Sequence, residues 1–147
     1  MQPLQVEHAG EMAKVLSDPD LYTFTGGEPP TLDVLEARYR HQLAGPGRTD
    51  EQWFNWVIRH DDELVGYVQT TVTGSTAEIA WVIGTGWQGH GYAKEAARGL
   101  VTWLNAQGIQ RIVAHVHPDH AASAAVTAAA GLTRTEQLDD GEYLWST

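Results

Sequence analysis

The sequence predicts a mixed α/β (α+β) domain: a central, mostly antiparallel sheet of six to seven strands with helices on both faces. Three observations predict it. Residues 52–83 hold three β-branched and aromatic runs separated by short turns. A glycine-rich turn, a helical pattern and a further apolar run at 110–117 then make one βαβ unit, whose crossover should be right-handed. The chain closes on an alanine-rich helix and two short runs joined by "DDG". With 147 residues, 42% hydrophobic, the chain is long enough for a real core, and residues 1–147 read as a single domain.

Each element has a local cause. A first helix is expected from about His8 to Ser17. "DPDLYTFTGGEPPT" is a loop by its Pro, Gly and Asp content. Thr31 can cap a second helix through "LDVLEARYRHQL", with Asp33 and Glu36 near its positive end, and "AGPGRTD" stops it. "QWFNWVIRH", "ELVGYVQTTV" and "TAEIAWVI" follow as a three-stranded meander. In the next helix, from about Gly91 to Gln107, Ala93, Ala96, Ala97, Leu100, Val101 and Leu104 recur at helical spacing. "QRIVAHVH" is a strand, and Gly131 ends the alanine-rich helix after it. "LTRTEQL" and "EYLWS" form the last hairpin.

Composition removes several functions. The absence of Cys excludes disulfides, thiolate metal sites and a Cys nucleophile. Nineteen acidic residues against nine basic ones give a formal charge of −10, with no Lys/Arg cluster to grip nucleic acid. That balance favours a cationic or amine-bearing partner. No apolar run is long enough for a membrane span, and the N-terminus has no basic-then-apolar leader, so a cytoplasmic protein is expected. Trp53, Trp56 and Trp145 could bury at a homodimer interface.

The chemistry is concentrated in "EIAWVIGTGWQGHGYAKEAARGLVTWL", residues 78–104. A helix N-terminus leaves about four backbone N–H groups unpaired, and Ser, Thr, Asp or Asn normally caps them. This helix is approached by Gln88, Gly89, His90 and Gly91, and it begins Tyr92, Ala93, Lys94, with no cap and a positive charge. Such a terminus should hold an anion. Two frames compete for the glycines. Gly84, Gly86 and Gly89 fit the dinucleotide spacing G-x-G-x-x-G. Against it stand the 80 residues that precede the turn, the bulk of Trp87, and the lack of an acid about 20 residues on.

The second frame, Gln88-Gly89-His90-Gly91-Tyr92-Ala93, fits the Q/R-x-x-G-x-G/A signature and resembles the GNAT superfamily of acyl-CoA-dependent N-acyltransferases. The similarity runs over about residues 52–135, including "VHPDHAASAAVTAAAGL", and is closest to the branch that acetylates ribosomal-protein and other N-termini. The resemblance implies the GNAT fold and transfer of an acetyl group from acetyl-CoA to a primary amine on a small molecule or peptide N-terminus. It implies that the backbone of Gln88, Gly89, His90, Gly91, Tyr92 and Ala93 binds the pyrophosphate, and that Val82 and Ile83 pair with the pantetheine arm. His120 and Ser123 stand where the family places an Asn and a Ser that also hold CoA. Glu78, on the central strand, is the implied base. Thr127 stands where the family often has a Tyr that protonates the leaving thiolate, so the general acid is not identified.

The loop residues Tyr22, Phe24 and Glu28 are the candidate acceptor contacts, Glu28 for a cationic amine. His115, His117, His120 and Asp119 are close in sequence, but Pro118 turns the chain among them, and no metal is expected. Ser123 lacks the strained elbow of a hydrolase nucleophile. A non-catalytic acyl-CoA-binding domain is the alternative, favoured by the missing Tyr and opposed by Glu78.

Overall fold

Seven strands form one sheet in the computed structural model, which describes residues 1–147. They are β1 (Gln2–Pro3), β2 (Glu51–His60), β3 (Glu63–Thr73), β4 (Thr76–Ile83), β5 (Arg111–Val116), β6 (Thr133–Asp139) and β7 (Glu142–Ser146). Their order across the sheet is β1-β2-β3-β4-β5-β7-β6, and only β4 and β5 pair in parallel. Four α-helices accompany them: α1 (Ala9–Val15), α2 (Leu32–Ala44), α3 (Tyr92–Ala106) and α4 (Ala121–Ala129). The predicted mixed fold is therefore the observed one.

Local chemistry accounts for the boundaries. The Thr31 hydroxyl accepts from Val34 N at 3.3 Å and starts α2. The β6–β7 turn closes on the pair Asp139↔Glu142, with Asp140 and Gly141 both at positive φ (51° and 82°), as a two-residue hairpin of this twist requires. Two details depart from expectation. The first helix is shorter than predicted at both ends: Val6–His8 is a 3-10 turn that leads into α1, and Leu16 is already its C-cap. The dipeptide β1 adds an edge to the sheet beside Trp56 and Val57, too short to leave a periodic signal.

A core lies on each face of the sheet. On one face α3 and α4 bury Ala97, Leu100, Leu104 and Val126 against Val68, Ile79 and Ile112. On the other, α1 and α2 bury Met12, Val15 and Leu35 against Val57 and Leu64. Strand alternation produces this division, because neighbouring residues face opposite sides. The Glu11 carboxylate accepts from Leu64 N at 2.6 Å and fixes α1 to β3.

The feature that positions the site is a divergence within the sheet. β4 and β5 pair only from Thr76↔Arg111 to Glu78↔Val113, although β4 continues to Ile83. The backbone of residues 79–83 thus has no neighbour on the β5 side. Unpaired strand backbone is a template for another extended chain.

Candidate functional site

A cleft of about 940 Å³ opens where β4 and β5 separate. Its walls are the end of β4, the N-terminal ends of α3 and α4, and the loop before α2. This volume lies at the upper end of small-ligand sites.

At one end is the α3 N-terminus. Gly91 is its N-cap at φ +83°, and no side chain caps the helix. The first N–H groups therefore remain available to an anion. The Gln88 side chain folds back and donates to Ile83 O at 3.0 Å, which tightens the turn. His90 Nδ1 lies 3.0 Å from Gln88 O, and its ring stacks on Tyr92 at 5.6 Å. Gly84, the first glycine of the dinucleotide spacing, has another cause: a Cβ there would lie 2.7 Å from Val15 Cγ1 and 2.8 Å from Trp87. It is glycine because α1 packs against it.

In the middle of the cleft, the structure joins residues that the sequence keeps apart. His115 lies between two carboxylates, with Nδ1 3.1 Å from Glu78 Oε1 and Nε2 3.0 Å from Asp139 Oδ2. Burial pulls the His115 pKa down, but the Asp139 hydrogen bond and the charges of Glu78, Asp139 and Glu142 outweigh it and leave it raised. The bond from His115 in turn holds the Asp139 carboxyl below the usual range, opposed by partial desolvation and aided by Gln137. No group of three or more His, Asp or Glu is arranged to hold a metal ion. His115 instead faces the two carboxylates.

The helix α4 supplies the opposite wall. Ser123 Oγ lies 3.3 Å from His120 Nε2, and both residues line the cleft. Burial, followed by the charge of His117, lowers the His120 pKa and so favours the neutral ring. Phe24 stacks on His120 with centroids 4.5 Å apart and rings 15° from parallel. Thr127 is fully buried outside the cleft, and its hydroxyl donates to Ser123 O at 2.6 Å.

Glu78, Val82, Ile83, Gln88, Gly89, Gly91, Tyr92, Ala93, His120, Ser123 and Phe24 thus share one cleft, while His90 lies just outside its lining. Tyr22 and Glu28 do not line it; the Tyr22 hydroxyl donates to Leu16 O at 2.9 Å. Sequence reasoning missed Asp139 and Glu142 beside His115, and Tyr67 and Gln69 on β3. Only Asp139 and Glu142 had a signal: their place at the mouth of the terminal hairpin. Trp56 and Trp145 pack against the core, and Trp53 donates to Glu51 at 2.8 Å. No helix is long and apolar enough to cross a membrane.

The chain is similar to known proteins. An uncharacterized N-acetyltransferase p20 of Bacillus licheniformis is 26% identical over 129 residues, 84% of this chain and 72% of its own. The ribosomal-protein alpha-N-acetyltransferase RimL, solved with coenzyme A, superposes with a TM-score of 0.82 at 16% identity, over 99% of this chain and 91% of its own. The microcin C7 self-immunity acetyltransferase MccE, solved with acetyl-CoA and AMP, gives 0.80 at 15% identity over 100% and 89%. The family model for the acetyltransferase (GNAT) domain matches residues 1–133, so it takes in the divergent strands, the uncapped α3 terminus and the α4 wall alike: the chain belongs to the GNAT acetyltransferase family.

Proposed function

We propose that the protein transfers an acetyl group from acetyl-CoA to a primary amine, directly, with both substrates bound together. One observation carries the reading: the uncapped α3 terminus and the unpaired edge of β4 open into the same cleft as Glu78. The family supports an acyltransferase, and the coenzyme A and acetyl-CoA complexes of RimL and MccE support the cosubstrate.

Acetyl-CoA supplies a thioester carbonyl that an uncharged amine attacks without a covalent enzyme intermediate. The amides of residues 88–93 hold its pyrophosphate, and the backbone of Val82 and Ile83 pairs with its extended arm. His120 and Ser123 border the same channel. An amine is mostly protonated at neutral pH, since an α-amine has a pKa of about 8 and a lysine about 10.4. Glu78 takes its proton, directly or through one water. His115 holds the Glu78 carboxylate in one orientation, and Asp139 holds His115. Thr127 is sealed in its helix and supplies no proton. A thiol has an ordinary pKa of about 8.5, so its thiolate leaves without a dedicated acid near that pH.

Thermal unfolding with acetyl-CoA, with NAD and with neither tests the cosubstrate. A ligand at 100 times its Kd adds about 2.7 kcal/mol, a rise in Tm on the order of 10 °C at this size. The reading expects that rise with acetyl-CoA alone. A rise with NAD alone would assign the turn to Gly84–Gly89 and overturn it.

A further inference from the structure

A second, smaller cavity of about 30 Å³ lies beneath the sheet face that carries α1 and α2. Its polar lining is Arg38, Tyr39, Gln42, Asn55, Tyr67 and Gln69. Tyr67 and Gln69 also line the large cleft, so the two spaces share a wall. Tyr39 is 4% exposed, and its hydroxyl is buried with no hydrogen-bond partner. Native interiors rarely leave such a donor unpaired, because its desolvation goes uncompensated. Arg38 is near enough to Tyr22, Tyr39 and Tyr67 to influence all three phenols, yet it takes part in none of the protein's ion pairs.

The two spaces have opposite electrostatics. The large cleft is lined by the acids Asp20, Glu78, Asp119 and Glu142, with Lys94 at the α3 end. The small cavity has one guanidinium and no acid. Its other polar groups are two phenols and three carboxamides, all able to donate. We propose that this cavity is an acceptor subsite, in which Arg38, Tyr39 and the Gln69 and Asn55 amides bind a carboxylate or carboxamide oxygen carried by the amine substrate.

Size and register agree with that role. A water needs roughly 10–15 Å³, so the cavity takes about two oxygen-sized groups. Gln69 pairs with Ala80 on one side and Asn55 on the other. Glu78 is two residues from Ala80 on the same sheet face, a diagonal of about 7–8 Å from Gln69. An amine at Glu78 and an oxygen at the subsite are thus a few bonds apart. The acid-lined cleft alone would prefer a diamine; the subsite adds a requirement for an oxygen.

This inference rests on the acetyltransferase reading, so the test separates the two. L-lysine, L-lysinamide and cadaverine share a terminal amine and differ in carrying a carboxylate, a carboxamide or neither. Calorimetric titration of each into the protein saturated with coenzyme A should show lysine or lysinamide binding at least roughly tenfold tighter than cadaverine. Lysine first would identify a carboxylate on Arg38; lysinamide first, a neutral carbonyl. Tyr39→Phe and Arg38→Met should each bring the preference toward parity. Circular dichroism unfolding should show Tyr39→Phe at least as stable as the parent, since it removes an unpaired buried hydroxyl. Equal binding of the three amines, or cadaverine tightest, would overturn the subsite and leave the acetyltransferase reading standing. Failure of coenzyme A itself to bind would defeat both.

Discussion

At the scale of the residue, the site turns on His115. Its two ring nitrogens are committed to Glu78 and Asp139, and Glu142 adds a third negative charge nearby. These groups raise its pKa above 6.5 in the folded state against the opposing effect of burial. A histidine more basic when folded stabilises the fold by binding a proton. That contribution is fully present below pH 6.5 and is lost as the pH rises through the folded value. His8 and His120 are shifted the other way, so they oppose it. The difference between the parent and His115→Gln isolates the term. Urea unfolding should show the parent's advantage over His115→Gln shrinking as the pH rises from about 6 to 8. An advantage that grows over that range would contradict the assigned shift. None of this was legible in the sequence. From sequence, His115 was weighed only as a metal ligand beside His117 and His120 and set aside, because nearness in sequence was the available cue. Its actual partners lie on β4 and at the end of β6, brought together by strand register.

At the scale of the element, the proposed cosubstrate site rests on the entry to α3. Gly91 sits at φ +83° and no side chain satisfies the first amides. A residue with a Cβ is strained there by about 1–2 kcal/mol. Gly91→Ala should therefore lower stability by about that amount and weaken acetyl-CoA binding in a calorimetric titration, through the displaced amides. Unchanged affinity would mean that the anion binds elsewhere. This element was readable from sequence because its cause is local: four glycines, no capping residue and a run of apolar positions at helical spacing. The acceptor loop was not. Phe24 reaches the cleft by stacking on His120, whereas Tyr22, two residues away, points back to Leu16 O. Residue type says nothing about which of two neighbouring aromatics faces a site when the backbone between them is irregular.

At the scale of the molecule, the architecture follows from two cores on opposite faces of one sheet and from strands that part halfway along. The meander, the βαβ unit and the terminal hairpin were legible because each is a sequence-local unit with its own turn chemistry. The parting of β4 from β5 was not, since it depends on how far two parallel strands stay in register. That separation opens the cleft, leaves the β4 edge with which the proposed CoA arm would pair, and exposes Glu78 to the same space. The most direct test is release of free thiol from acetyl-CoA by the protein and by Glu78→Gln, with a mixture of primary amines and without one. The account predicts amine-dependent release by the parent, and a loss of roughly 10²–10⁴-fold in Glu78→Gln with acetyl-CoA binding retained. Tight acetyl-CoA binding with no amine-dependent release by the parent would contradict it and make the protein an acyl-CoA-binding module.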